Sequence, residues 1–297
     1  MSMRRAAIAA LVLMGIGGSA RAADESTLRW KFQKGDVLKY EFKQKNDLNL
    51  KAAGQELKNV SELTFNVRWE VKSVADDGAA KVTMKVERVR AHVKNGQQTI
   101  DFDSNAKGDA EPAAAAISTA YREVVGPDYL LTVDSKGKVV EAKVPDAVKE
   151  SLKGSPFQAI ADGGSVLSDS GVKNMFLQVI PVFPDKPVAQ GGKWVTLMEL
   201  PTGPLTVKLK ETYTLAKSGP DGATIEATLS TKMEPVAGVP LTVEMKKETG
   251  DATFTFDAKA GRITKSVVHQ TMDVSLKGSN GELDQNIVIE VSFAIVP

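Results

Sequence analysis

From Leu63 the chain alternates without a break. Leu63, Phe65, Val67, Trp69 and Val71 are apolar, and Thr64, Asn66, Arg68, Glu70 and Lys72 between them are polar. Successive side chains of an extended strand point to opposite faces, so this period of two predicts a strand with one dry and one wet face. The same period recurs at Leu38-Tyr40-Phe42, Val82-Met84-Val86, Leu205-Val207-Leu209, Ile225-Ala227-Leu229, Leu241-Val243-Met245 and Ile287-Ile289-Val291-Phe293-Ile295. A parallel sheet covered on both faces would show continuous apolar runs instead, so the expected sheet is antiparallel.

Turn residues separate the alternating runs. Asp77-Gly78 and Asp221-Gly222 are hairpin signals, and Ser135-Lys136-Gly137, Ala260-Gly261 and Asn280-Gly281 punctuate later pairs. About twelve strands result, most of them longer than the roughly five or six residues usual in globular sheets. Long strands on short turns predict a strongly curved sheet, a half-barrel or a barrel. The chain also matches itself. Leu63 to Val86 parallels Leu205 to Leu229, Leu131 to Val139 parallels Phe254 to Ile263, and Lys34-Gly35-Asp36 parallels Gly191-Gly192-Lys193. The expected fold is mainly β, with two duplicated antiparallel halves, residues 23–145 and 185–297, forming curved sheets or a half-barrel.

Helices are expected only as short covers. Pro112 opens an Ala-rich stretch that Gly126-Pro127 stops. Residues 146–184 form a helical insert or linker. Pro145-Asp146 starts one short helix within it, and Ser170 could cap another. In that second helix Val172, Met175, Phe176, Val179 and Ile180 share one face. Such a stripe, together with Trp69, is the candidate ligand-binding surface if the helix lies over the mouth of the sheet.

The first residues change the picture of where the chain works. Arg4 and Arg5 precede an apolar run from Ala6 to Gly18, and Ala20-Arg21-Ala22 has small residues where a signal peptidase reads. Residues 1–22 read as a cleavable signal peptide, so the mature chain is expected in the periplasm or outside a bacterial cell. Removing three arginines and no acidic residue takes the net charge from +1 to −2. That balance argues against nucleic acid as a partner. With 0 Cys, neither a disulfide frame nor thiolate chemistry is open to it. No later apolar run is long enough to span a bilayer.

Catalytic signatures are missing from the sequence. Gly163-Gly164-Ser165 lacks the trailing Gly of a nucleophile elbow. Ser104-Asn105-Ala106-Lys107 and Ser135-Lys136-Gly137-Lys138 match S-x-x-K outside any helix. His92 and His269 both fall in strand patterns. Asp101-Phe102-Asp103-Ser104-Asn105 starts like a calcium loop, but Ala106 stands where the sharp turn needs Gly and Pro112 where a bidentate Glu belongs. No catalytic residue, no metal ligand and no cofactor is therefore assigned.

Leu28-Arg29-Trp30-Lys31-Phe32 with Lys34-Gly35-Asp36 and Tyr40, and Phe183-Pro184-Asp185-Lys186-Pro187-Val188 with Gly191-Gly192-Lys193-Trp194, resemble the openings of the two halves of a family of exported bacterial β proteins of unknown function. The resemblance implies no activity and carries over no catalytic residue. The leading expectation is a non-catalytic envelope protein that binds a lipid or other apolar small molecule between sheet and helix. A structural or interaction module facing an envelope protein stands second, and a carboxylate-based hydrolase third.

Overall fold

The computed structural model describes residues 25–106, 115–151, 166–279 and 281–297. In the N-terminal half the strands are β1 (Glu25–Ser26), β2 (Val37–Ala52), β3 (Gln55–Val74), β4 (Ala80–Asn95), β5 (Gln98–Asp103), β6 (Asp128–Val133) and β7 (Val139–Lys143). In the C-terminal half they are β8 (Val188–Ala189), β9 (Lys193–Thr202), β10 (Leu205–Ser218), β11 (Gly222–Pro235), β12 (Leu241–Asp257), β13 (Arg262–Gly278) and β14 (Gly281–Ile295). Three helices lie between them: α1 (Ala115–Arg122), α2 (Asp146–Ser151) and α3 (Asp169–Leu177).

Twelve strands form one antiparallel sheet in the order β7-β6-β4-β3-β2-β14-β13-β12-β11-β10-β9, with β5 beside the far part of β4. The halves are not separate sheets. β14 pairs with β2 from Leu283↔Ala52 to Ile295↔Tyr40 and joins them along their full length. The alternating residues all fall on one face, where Tyr40, Phe42, Phe65, Trp69, Phe254 and Phe293 are buried. Lys and Glu side chains occupy the other.

The sheet curls hard at one end. Trp30 donates its amide to Ser135 O and Lys31 donates its own to Gly261 O, both at 2.8 Å. Ser135 lies in the β6–β7 turn and Gly261 in the β12–β13 turn. Along the sheet those hairpins are five strand spacings apart, about 24 Å if the sheet were flat. Two consecutive amides reach both, so the strand ends are drawn round almost into a ring, with segment 28–34 as the strap across it. Gly137 makes this approach possible, since its φ is +91° and a Cβ there would meet Trp30 Nε1 at 2.6 Å.

The strapped end is packed solid. Phe176 of α3 stands edge-on to Trp69, centroids 5.0 Å apart, and Tyr40 stacks on Phe293 at 4.2 Å. Ser266 donates to Val179 O at 2.5 Å. The cap of α3 is Ser168, not the expected Ser170, because it is the Ser168 hydroxyl that accepts the Gly171 amide at 2.9 Å. The Ala-rich helix spans Ala115–Arg122, and its expected start at Pro112 lies outside the described residues. Its Tyr121 ring meets Phe65 at 5.9 Å and Arg122 lies over Phe102.

Trp69→Ala empties the centre of this packing and is expected to cost about 3–5 kcal/mol. Ser168→Ala, which frees the helix-end amide of Gly171, should cost about 1 kcal/mol. Urea unfolding of the two variants checks the ratio.

Candidate functional site

The site lies where the sheet stops being paired. β11 and β12 are in register only from Gly222↔Asp257 to Thr228↔Asp251. β12 nevertheless continues along β13 to Leu241↔Gly278. Beyond Thr228 the three strands β9, β10 and β11 leave β12 and fold over the dry face as a wing. Gln270 of β13 donates to Thr231 of β11 at 2.6 Å, reaching over the intervening β12, whose Glu248 accepts from the same amide at 3.3 Å. Gly250 of β12 lies under this crossing, and a Cβ there would come within 2.8 Å of Leu229 Cβ. A glycine inside a strand at a close approach of this kind has a steric reason.

Between the wing and the central strands lies a cavity of about 270 Å³. The wing contributes Leu200, Val207, Leu209, Leu229 and Met233. The opposite wall is Val268, Met272, Ile287, Ile289 and Val291. Gln178, the C-cap of α3, closes the strapped end, and Gln44, Glu211, Thr231 and Gln270 complete the lining. Away from the strap the dry face continues past the cavity as half-exposed rows, including Leu48, Leu50, Val243 and Met245.

Glu211 is 2 % exposed and is the one buried carboxyl among the described residues. Tyr213 donates a short hydrogen bond to its Oε2, and Thr196 donates to the same oxygen at 3.1 Å. Burial raises its pKa above the ordinary 4.5, and the two hydrogen bonds partly offset that rise. Trp194 stacks on Tyr213 at 5.1 Å and donates its indole N–H to Val182 O at 2.9 Å, which fixes the floor of the site.

The candidate residues read from sequence lie elsewhere. Val172, Met175, Phe176, Val179, Ile180 and Trp69 come together, all at most 1 % exposed, as the packed core of the strapped end. They do not line the cavity; only Gln178, at the end of the same helix, reaches it. The calcium-like stretch spends its acids on neighbours. Arg88 pairs with Asp103, and His92 Nδ1 lies 2.6 Å from Asp101. Residues 107–114 of that stretch, and Gly163-Gly164-Ser165, lie outside the described residues. His92 on β4 and His269 on β13 are separated by three intervening strands. Among the described residues no three metal-ligating side chains converge, and no helix is long and apolar enough to cross a membrane.

These features define a class: a one-sided, curled antiparallel sheet that wraps an apolar cavity against its own folded-over wing. The chain belongs to a family of unknown function, DUF6263, whose model matches residues 77–263. That match runs from the β3–β4 turn through the wing to the start of β13. Comparison with curated proteins returns no match. Among solved structures, lipovitellin, described for its lipid–protein interactions, aligns over 90% of this chain at 11% identity with a TM-score of 0.52. The chain spans only 26% of that protein's length, and the likeness is one of fold. Pseudomonas aeruginosa OccK5 aligns over 88% of this chain and 99% of its own at 9% identity, with a TM-score of 0.30. A DUF1329 family protein from Desulfovibrio piger covers 86% of this chain and 85% of its own at 12% identity, with a TM-score of 0.19.

The raised pKa of Glu211 has a consequence for stability. In the folded chain Glu211 keeps its proton above pH ~4.5, where the unfolded chain releases it, so the folded state there binds more protons and stability falls as pH rises. Glu211→Gln removes that contribution. Melting curves across the acid-to-neutral range should show the wild type losing stability relative to Glu211→Gln as pH rises above about 4.5. Parallel curves would contradict the burial of a titrating carboxyl.

Proposed function

We propose that this chain is a non-catalytic binding protein of the bacterial cell envelope that holds an apolar ligand, a lipid, between the wing and the central strands. The observation that carries this reading is the cavity itself. Ten apolar side chains line it, and the same dry face runs on from it through Leu48, Leu50, Val243 and Met245, which are only partly buried. Leaving that much apolar surface half wet is costly at about 25 cal/mol per Å² and is recovered when an acyl chain lies on it. Sheet similarity to lipovitellin supports the reading at the level of fold, and the signal-like residues 1–22 support export. Glu211 is the only carboxyl among the described lining residues, which favours binding over two-carboxylate hydrolysis.

The strand order also fits a duplication. Read from β9, the sheet runs β9 to β14 and then β2 to β7, so the two halves follow one another head to tail. A second reading, a protein-interaction module, draws on the free edge strand β9, where Val195 is 51% and Leu197 75% exposed on the outer face.

The test is to fill the cavity. Val207→Trp introduces bulk between the walls, whereas Leu197→Ala touches only the outer face. With native mass spectrometry and a fluorescent fatty-acyl probe, Val207→Trp should weaken lipid binding about tenfold or more while Leu197→Ala leaves it unchanged. Lipid binding unaffected by Val207→Trp would place the ligand elsewhere. Loss of a protein partner on Leu197→Ala, with no lipid bound by the wild type, would favour the interaction module.

A further inference from the structure

The cavity's polar lining is confined and one-sided in chemistry. Gln44, Gln178, Glu211, Thr231 and Gln270 contribute amides, a hydroxyl and a carboxyl, and no Lys, Arg or His lines the cavity. The polar groups also sit toward one end. Glu211 faces Leu229 across the β10–β11 register, deeper than Leu209 and Val207, and Gln44 pairs with Val291 at the strapped end. Gln178 closes that end from the helix. Toward the open end the walls are Leu200, Val207, Met233, Met272 and Ile287. The cavity therefore has a buried polar head region and an apolar mouth.

Both hydrogen bonds that Glu211 receives, from Tyr213 and from Thr196, fall on Oε2. Its Oε1 has no hydrogen-bond partner among the described residues, and Glu211 lines the cavity. Because Oε2 is already accepting twice, a proton on the carboxyl belongs on Oε1, which then donates to whatever occupies the head region. The lining amides of Gln44 and Gln178 donate to Asn46 Oδ1 and Asn174 O, and their carbonyl oxygens are acceptors. An anionic head has no cation to meet there, and burying a charge unpaired costs far more than an unpaired dipole.

We propose that the site selects a single-chain amphiphile whose head is uncharged and both donates and accepts hydrogen bonds, such as a fatty alcohol or a monoacylglycerol, and rejects fatty carboxylates and phosphate heads. This inference rests on the lipid reading above. A volume of about 270 Å³ holds part of one acyl chain, and the rest would lie along the half-exposed rows beyond the mouth. The raised pKa of Glu211 agrees with a neutral head region.

The experiment is displacement of the apolar dye N-phenylnaphthylamine from the full mature chain by palmityl alcohol, monopalmitin or palmitate at neutral pH. Palmityl alcohol and monopalmitin should displace the dye at about tenfold lower concentration than palmitate, the worth of one buried hydrogen bond. Glu211→Gln, nearly isosteric, uncharged and still a donor, should keep both alcohol binding and the preference over palmitate. Glu211→Leu should lose the preference for the alcohol while still binding dye. Far-ultraviolet circular dichroism and melting curves confirm that each variant is folded. If palmitate binds the wild type as tightly as the alcohol, or if Glu211→Leu leaves the ratio unaltered, the head-group assignment is overturned while lipid binding stands. If neither the dye nor any of the three amphiphiles binds, the lipid reading fails and takes the assignment with it.

Discussion

A twelve-stranded sheet with one apolar face has to bury that face, and among the described residues the other sheet is only the two-stranded pair of β1 and β8, too small to cover it. Everything else in the architecture answers that constraint. The strap at residues 28–34 draws the strand ends together, so that the dry faces of distant strands become one another's cover. Insert α3 with segment 179–183 plugs the resulting throat with Phe176, Ile180 and Phe183. Helix α1 lies on Phe65 and Phe102. The wing then folds over the central strands. Each cover reaches only so far, and the cavity lies where the plug ends and the wing has not quite closed.

The strap is a small element with a large lever arm. Two backbone hydrogen bonds would contribute only about 1 kcal/mol each. What makes the strap matter is that Leu28, Trp30 and Phe32 are buried along with them, with Trp30 stacked on Phe32 at 5.3 Å and tilted against Trp69 at 6.3 Å. The strap ties turn 134–138 of one half to turn 257–261 of the other. Curvature at this end is thus imposed by contacts remote in sequence, and the far ends of the strands, which have no such tie, are free to splay. The parting of β11 from β12 after Thr228 happens at that untied end.

Period two carries most of the fold in the sequence itself. Every alternating run quoted for a strand is one, and the dry phase of most is the buried face, with Leu241, Val243 and Met245 half-exposed and Ile295 at the end of its run exposed. The Asp-Gly and Ala-Gly turns are also where they were expected. The β2–β3 hairpin is less visible, since it turns at Ala53-Gly54 with Ala53 at φ +49°, a conformation for which Ala gives no warning. The seam between β11 and β12 leaves no trace either, because Leu241-Val243-Met245 alternates the same way whether or not its neighbour is paired. The helical stripe was legible as a stripe. Periodicity says that such a face is covered, not whether a ligand or a core covers it, and here it is core.

The cavity did have a signal in the sequence. Along β10 the dry phase reads Leu205, Val207, Leu209, Glu211, Tyr213, Leu215, and along β13 it reads Val268, Gln270, Met272. On β2, Gln44 follows Phe42, and on β11, Thr231 follows Leu229. Four polar residues on the dry phase, in strands not all adjacent, meet in one place only because the wing folds over. Stability alone does not explain them. A Leu at position 211 would complete the apolar row, whereas a carboxyl there is desolvated and held by two hydroxyls. Groups buried at a cost to folding tend to mark the places where a protein does its work, and in this sheet the interrupted phases and the open volume coincide.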